Sequence, residues 1–362
     1  MHNEFYMKRA IELAKKGAGF VNPNPLVGAV IVKDGVIIGE GYHEKYGELH
    51  AERNAIKNCT ESPKGATIYV TLEPCCHHGK TPPCTEAIIE NGIKKVVIGS
   101  LDVNPLVAGK GVQILRDNGI EVETGILKDE CTSLNRVFNK FILKKRPYVV
   151  MKYAMTSDGK IATDSGKSKW ITCEESIKAV HVLRNELMGI MVGVSTVIAD
   201  DPMLDCRLDT PHRNPVRIIC DTNLRTPLYS KLVQTAGTIP TIIATSSEEK
   251  NKLSEYENKG CKIITVPRKT EGIDLNILME KLGDFGIDGI LLEGGGTLNN
   301  SALKSRIVDE VHTFIAPKIF GGSGKSPVSG IGIDDPSEAI TLSPFDISKI
   351  GDDLLIKSEV KY

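Results

Sequence analysis

Two short stretches constrain what the first 145 residues can fold around: His50-Ala51-Glu52, and Pro74-Cys75-Cys76-His77-His78-Gly79-Lys80-Thr81-Pro82-Pro83-Cys84. A catalytic Zn²⁺ takes three protein ligands and leaves a fourth position to a water whose pKa it lowers to about 7. His50, Cys75 and Cys84 supply that donor set. Glu52 stands two residues past the histidine, at the start of a helix predicted over 50–59, where its carboxylate sits beside a metal without binding it. That is the place of a proton shuttle. The zinc-deaminase signature joins H-x-E to P-C-x-x-C. Here its second half is stretched, with eight residues between Cys75 and Cys84, and Cys76 stands as a rival ligand that would strain the site. Nine cysteines in a chain without a secretory leader read by default as buried thiols. The histidine, the carboxylate and the two spaced cysteines together outweigh that default.

Length and composition bound the rest. With 362 residues the chain is long enough for two domains, and 41% hydrophobic with 25% charged residues is what an ordinary folded protein carries. A formal net charge of −1 leaves no basic footprint for a nucleic-acid backbone, so a small substrate is expected. No apolar run approaches the ~18 residues that read as a membrane span. The N-terminus has the mixed polarity of an amphipathic helix, and the expected compartment is the cytoplasm, where reduced cysteines stay available to a metal.

Phe5, Ala10, Ile11, Leu13 and Ala14 recur at helical spacing and predict a helix over 4–16. Val21-Asn22-Pro23-Asn24-Pro25 cannot continue it, because each proline fixes φ, removes a donor and drives its predecessor to extended geometry. Asn24 is held rigidly there, as a turn former or as a contact. Residues 27–32 and 36–41 read as a hairpin across Lys33-Asp34-Gly35, with His43 following it. Strands at 67–72, 95–100 and 121–125 then alternate with helices at 83–91 and 110–118, which makes a layered sheet with helices on both faces. Cys75 and Cys84 fall past the carboxyl end of a strand, where open α/β sheets place ligands, and Asp102 and Asn104 follow the next strand in the same position. One helix is predicted over 129–144. Lys144-Lys145-Arg146-Pro147 closes it, the cations complementing its C-terminus and the proline stopping it, and puts the domain boundary between 1–145 and 146–362.

The second half restarts with a strand over 148–156. Lys152 stands there among apolar residues where an unpaired ammonium is costly to bury; an edge strand with Lys152 in solvent is the competing reading. Further β-rich stretches at 189–194, 216–221, 238–245, 261–266, 287–292 and 308–315, separated by helical stretches such as 174–187, predict a second α/β domain. Leu291-Leu292-Glu293-Gly294-Gly295-Gly296-Thr297-Leu298 runs from a strand through three glycines into a helix. Glycines there let backbone amides approach a phosphate, a tight turn being the plainer alternative. No G-x-G-x-x-G supports a Rossmann domain. Gly321-Gly322-Ser323-Gly324-Lys325-Ser326 fails as a P-loop, because Ile319 stands where its first glycine belongs, and it reads as a mobile loop.

Taken together, Asn22-Pro23-Asn24-Pro25 with Val27-Gly28, Gly41-Tyr42-His43, His50-Ala51-Glu52 and the run from Thr71 to Cys84 resemble the bifunctional pyrimidine deaminase/reductases of riboflavin biosynthesis. The second half agrees. Lys152-Tyr153-Ala154, Ser157-Asp158-Gly159-Lys160, Ser168-Lys169-Trp170-Ile171-Thr172, Arg184, and the run from Val192-Gly193 to Arg207 look like that family's reductase, so the resemblance covers nearly the whole chain. It implies an α/β protein with a cytidine-deaminase-like α/β/α domain followed by a dihydrofolate-reductase-like domain, acting in turn on a phosphoribosylated aminopyrimidine. The first, with one Zn²⁺ per chain, would convert an amino group to a carbonyl; the second would use NADPH to reduce the opened ribose to a ribityl chain. By position, Asn24, His43, His77 and Lys80 would contact substrate in the first site. Ala154, Trp170, Thr196, Asp200 and the loop 295–301, headed by Gly295, Gly296 and Thr297, would hold NADPH. Ser168, Arg184, Leu204, Arg207 and Glu293 would face the sugar phosphate with Lys152, whose charge would stabilise the oxyanion formed as hydride arrives. A homo-oligomer assembled through the reductase domains is expected, with no nucleic-acid or membrane partner.

The chain departs from the family pattern at Met188-Gly189, where Asp-Ala is usual, and at Cys173, which replaces a small residue. Two other classes compete. A binding module built on structural zinc wants four closed ligands and no adjacent carboxylate. A stand-alone nucleoside, nucleotide or tRNA deaminase would carry a non-catalytic C-terminal domain.

Overall fold

Asp34 and Gly35 both take positive φ, 50° and 81°, as a two-residue hairpin connection matching the twist of its strands requires. They join β1 (Gly28–Lys33) to β2 (Val36–Tyr42) in antiparallel register, Lys33 opposite Val36. The structure, a computed structural model, describes residues 2–79, 81–270 and 272–362. It divides into two units, Met1–Lys145 and Arg146–Tyr362. No helix among the described residues is long and apolar enough to cross a membrane.

In the first unit, α1 (His2–Lys15) precedes the hairpin, which is followed by α2 (Ala51–Lys57), β3 (Thr67–Leu72), α3 (Cys84–Glu90), β4 (Lys95–Ser100), α4 (Lys110–Asp117) and β5 (Glu121–Thr124). The sheet order is β2-β1-β3-β4-β5, with β3, β4 and β5 parallel. Strand side chains alternate between the faces. Val30, Val32, Tyr69 and Val97 pack against Tyr6, Met7, Ala10 and Leu13 of α1. Ala29, Ile31, Ile68, Val70, Val96 and Ile98 pack on the other side against Ala51, Ala55, Ile88, Val112 and Leu115. Each fully buried Ile or Val stabilises the layers by about 1.5–3 kcal/mol. Gly28 lets α1 come this close, since a Cβ there would lie 2.0 Å from Ala10 O.

The helix predicted as one piece over 129–144 is two: α5 (Lys128–Leu134) and α6 (Arg136–Lys144). Asn135 breaks it, at φ −109° and ψ 22°. Its buried side chain clamps Leu26, Oδ1 accepting from Leu26 N at 2.8 Å and Nδ2 donating to Leu26 O at 3.0 Å. This long-range pair competes with helix continuation, and periodicity alone cannot register it.

The second unit runs β6 (Tyr148–Thr156), α7 (Glu174–Glu186), β7 (Gly189–Gly193), α8 (Val194–Asp200), β8 (Val216–Cys220), α9 (Lys231–Gln234), β9 (Thr241–Thr245), α10 (Lys250–Asn258) and β10 (Lys262–Thr265). A small ribbon, β11 (Arg268–Lys269) and β12 (Gly272–Ile273), leads to α11 (Leu275–Asp284), β13 (Gly289–Leu292), α12 (Gly296–Lys304) and β14 (Glu310–Ala316). The chain ends in β15 (Thr341–Leu342), β16 (Asp346–Ile350) and β17 (Asp353–Lys361). The sheet order is β10-β9-β8-β7-β13-β6-β14-β17-β15, with β16 paired to β17. From β10 to β14 the strands are parallel, and β17 is antiparallel to β14. The order in which strands are added reverses around β6: from β6 the chain steps to β7 in one sense across the sheet, and from β13 to β14 in the other. The carboxyl ends of β6, β13 and β7 therefore flank a crevice of the kind that binds ligands in open sheets.

Replacing Asn135 by Ala strands the Leu26 amide and carbonyl. The first unit should lose about 1–3 kcal/mol, the cost of buried partners left unpaired, read as a lower urea midpoint with an unchanged m-value.

Candidate active sites

In the first unit, His50 caps the N-terminus of α2, Cys75 sits in the loop after β3 and Cys84 opens α3. His50 Nδ1 lies 3.4 Å from both Cys75 Sγ and Cys84 Sγ, and the three donor atoms fall within 4.8 Å of one another. The hydrogen bond from Cys84, with help from His50, brings the Cys75 thiol down to about 4, while the same bond and burial drive the Cys84 thiol up. Two sulfurs this close to one imidazole nitrogen form a donor set that a divalent cation takes up by binding both as thiolates. Two thiolates and an imidazole suit zinc. Cys76, the rival ligand, turns away and donates to Leu106 O at 3.8 Å.

Glu52 lies in the first turn of α2 and is buried; burial first, then the Cys75 charge, pushes its carboxyl up. Asn24, His43 and His77 line one cavity of about 290 Å³ with His50, Glu52 and Cys75. His43 is almost fully buried. Its Nδ1–H donates to Leu49 O at 3.1 Å, so Nε2 is left to accept from Asn24 Nδ2 at 3.1 Å, and burial lowers its pKa and keeps the ring neutral. The proline-flanked Asn24 therefore has a fixed partner. Lys80 lies outside the described residues.

Two further residues of this site, Thr81 and Glu73, carried no signal of their own in the sequence, whereas Asp102 was placed there by the strand it follows. Thr81 Oγ1 accepts from His50 Nε2 at 3.4 Å, which orients the ring so that Nδ1 faces the sulfurs. The buried Glu73 carboxylate accepts from the amides of Asp102, Gly109 and Val112 at 3.3, 2.9 and 3.1 Å, tying the start of α4 to the turn that carries Cys75. Asp102 lines the cavity, and burial raises its carboxyl to about 6.

In the second unit, Lys152 is on β6, Arg184 on α7 and Glu293 just past β13. Arg184 grips Glu293 with two parallel bonds, Nε to Oε1 at 2.8 Å and Nη2 to Oε2 at 2.9 Å, both side chains 12% exposed. Burial pushes the Glu293 carboxyl up, but Arg184 and then Lys152 overcome it and hold it at about 2. Burial lowers the Lys152 pKa; Glu293 holds it up and Arg184 opposes. Three charges therefore share one crevice. The edge-strand alternative for Lys152 fails, since β6 lies between β13 and β14.

Arg184 Nη1 also donates to Asp205 O at 2.9 Å, and Arg207 N donates to His181 Nδ1 at 3.1 Å, so α7 holds the segment carrying Leu204 and Arg207. Leu204 is buried at φ 51°. Arg217, which the sequence did not mark, is fully buried in β8 and donates to Met203 O at 3.3 Å, fixing the same segment from below. Ala154 is half-buried on β6, Thr196 and Asp200 lie on α8, and Ser168 and an exposed Trp170 lie between β6 and α7.

Gly294 takes φ 86°, where a Cβ would stand 3.1 Å from Asn299 Nδ2, and a Cβ on Gly296 would stand 2.5 Å from Ser329 Oγ. Only bare backbone fits. Gly295 N donates to Thr196 Oγ1 at 3.1 Å, which joins this turn to α8 at the start of α12, and Thr297 follows, exposed. A glycine turn opening a helix fits the phosphates of a dinucleotide.

Residues 147–356 match the family model of the RibD C-terminal domain, and residues 1–100 that of the cytidine and deoxycytidylate deaminase zinc-binding region. The riboflavin biosynthesis protein RibD of Actinobacillus pleuropneumoniae is 54% identical over 352 residues, 97% of this chain and 93% of that one. The RibD of Aquifex aeolicus is 46% identical, with 97% and 96% covered. Among solved structures, RibD of Acinetobacter baumannii superposes with a TM-score of 0.89 at 36% identity over 100% of this chain and 99% of its own. A diaminohydroxyphosphoribosylaminopyrimidine deaminase/5-amino-6-(5-phosphoribosylamino)uracil reductase of Thermotoga maritima gives 0.88 at 42% identity, covering 99% of each.

Glu293→Gln should move the alkaline limb of turnover at the second site to lower pH. The sign follows from Lys152: burial already depresses its pKa, and losing the Glu293 charge removes the contribution holding it up. A pH profile of kcat/KM checks this, and an unmoved limb would separate Lys152 from the titration.

Proposed function

Because the chain belongs to the RibD family of bifunctional deaminase/reductases of riboflavin biosynthesis, we propose that residues 1–145 carry the deaminase and 146–362 the reductase, with Glu52 and Lys152 as their central catalytic groups. The enzyme is a zinc-dependent deaminase and an NADPH-dependent reductase in one chain. The RibD C-terminal match over 147–356 sets aside a non-catalytic second domain. The proposed substrates are those named for the Thermotoga maritima relative: a diaminohydroxyphosphoribosylaminopyrimidine, deaminated to the uracil that the second site reduces. The observation that carries this reading is a buried Glu52 sharing one cavity with His50 and Cys75.

Zinc held by His50, Cys75 and Cys84 supplies an acidified water. Glu52, its carboxyl raised by burial, takes a proton from the water that attacks the amino-bearing carbon and delivers it to the leaving nitrogen, so amine and water become carbonyl and ammonia. Asn24 and His43, locked to each other, together with His77 and Lys80, orient the pyrimidine. NADPH, held by Ala154, Trp170, Thr196, Asp200 and the amides of Gly295, Gly296 and Thr297, supplies hydride. Ser168, Leu204, Arg207, Arg184 and Glu293 position the sugar phosphate, Arg184 and Glu293 as a fixed pair. Lys152 sits where negative charge grows as the opened sugar is reduced, and its proton is held in place by Glu293. Assembly into a homo-oligomer is supported by apolar side chains that the C-terminal region exposes, Phe345, Ile347 and Leu354 among them. Nine free cysteines support a cytoplasmic setting.

Glu52→Gln should keep one zinc per chain by metal analysis yet lower deamination by about 10²–10⁴-fold, the usual weight of a positioned acid–base. Loss of metal with surviving activity overturns the role. Lys152→Met should cut reductase kcat by about 10²–10³, comparable to removing one oxyanion-hole donor, with deamination unchanged; turnover within a few-fold of wild type would exclude it.

A further inference from the structure

The glycine run that fails as a phosphate loop is shaped by a different neighbour. Gly322 takes φ 61°, and a Cβ there would lie 2.3 Å from Asp164 Oδ2; a Cβ on Gly324 would lie 2.4 Å from Ala162 O. Both positions are bare because another stretch of this chain fills the space. That stretch, 157–171, leaves the carboxyl end of β6, and 317–326 leaves that of the neighbouring parallel strand β14, so both rise on the ligand side of the sheet.

The two segments are stitched along their length. Ser157 N donates to Lys318 O at 2.8 Å and Ile161 N to Lys325 O at 2.9 Å. Ser157 Oγ donates to Ala316 O at 2.9 Å and Ser323 Oγ to Asp164 Oδ1 at 3.2 Å. The Asp158 carboxylate accepts from Gly321 N at 2.7 Å and Phe320 N at 3.2 Å, and the Thr156 hydroxyl with these amides holds it down to about 2. At the far end Lys318 Nζ donates to two carbonyls, Trp170 O at 3.1 Å and Ile171 O at 2.6 Å. The Trp170 side chain is exposed, so its place is set through its backbone, and Lys318 is bonded to that backbone.

We propose that Lys318 is a positioning residue of the reductase: the glycine strap 320–325, docked on Asp158 and Asp164, anchors Lys318, which sets the segment bearing Ser168 and Trp170 over the crevice. This rests on the reading of Trp170 as a cofactor contact. The strap's glycines serve close packing of loop on loop, and the segment they hold gates how tightly NADPH is bound.

Trp170 is the 1 tryptophan of the chain and so reports on this segment in the full-length enzyme. Lys318→Met should lower Trp170 fluorescence anisotropy and raise KM for NADPH about tenfold with kcat within about twofold, the split of an interaction made equally in ground and transition states. Deamination should be unchanged. Gly324→Ala, which wedges strap from segment, should give the same pattern, and Lys318→Arg, keeping charge and donors, should stay near wild type. An unchanged KM for NADPH in Lys318→Met and Gly324→Ala overturns the proposal whether or not the anisotropy falls. The underlying reading fails separately: NADPH that leaves wild-type Trp170 emission unquenched, with a Trp170→Ala variant of normal KM, removes Trp170 from the cofactor site and the proposal with it.

Discussion

One imidazole nitrogen must meet two sulfurs carried at the two ends of the connection from β3 to α3, and the first unit is arranged around that meeting. The 3.4 Å spacings from His50 Nδ1 to Cys75 and Cys84 depend on where α2 and α3 start, and both starts depend on the sheet. Gly41 lets α2 lie against β2, since a Cβ there would come within 2.3 Å of Ala55 N. Arg53 reaches from α2 to the carbonyls of Pro82 and Pro83, at 3.1 and 2.8 Å, just ahead of Cys84. Glu73 then ties the Cys75 turn to the loop after β4 and the start of α4 through three backbone amides. A one-residue slip of β3 would move its side chains to the opposite face and dissolve every one of these relations.

The second unit solves another problem, since its crevice is organised by charge. A buried ion pair gains little over apolar packing, but losing one partner costs about 3–5 kcal/mol because the other charge is stranded. Arg184 and Glu293 are such a pair, brought from α7 and from the end of β13. Their bidentate geometry leaves the Glu293 charge fixed and able to support Lys152 on the adjacent strand. Site and fold are therefore coupled differently in the two units: convergence of loops in one, compensation of buried charge in the other.

What the sequence disclosed follows the same division. His50, Glu52, Cys75 and Cys84 were legible because their spacing is short and their residue types are rare together. The glycines at 294–296 were legible as a turn, though naming their ligand needed the family. Thr81, Glu73, Asn135 and Arg217 were not, because each is an ordinary polar residue until a distant backbone group meets it. Periodicity missed β16, which is largely exposed, and the failed phosphate-loop pattern at 321–326 read as mobile where Asp158 and Asp164 hold it. The two departures from the family pattern lie apart from the reacting groups. Gly189 is buried in β7, where a Cβ would press on Ile218 and Ile290, and Cys173 caps α7 with its amide on Asp353.

Lys152 looks anomalous in an apolar strand only until the faces of β6 are separated. Val149 and Met151 face the core formed with α11 and α12. The even-numbered residues lie on the opposite face, where Ala154 packs near Val180 of α7 and a short polar run begins beside Val150: Tyr148 Oη donates to Glu310 Oε2 at 3.2 Å, and Glu310 Oε1 lies 2.7 Å from His312 Nε2. His312 pairs in register with Lys152, whose ammonium stands 5.8 Å from the Phe314 ring, the next even position on β14. The parity of one strand thus divides the labour: one face holds the sheet together, and the other carries an ammonium into the crevice beside the Glu310–His312 pair of the neighbouring strand.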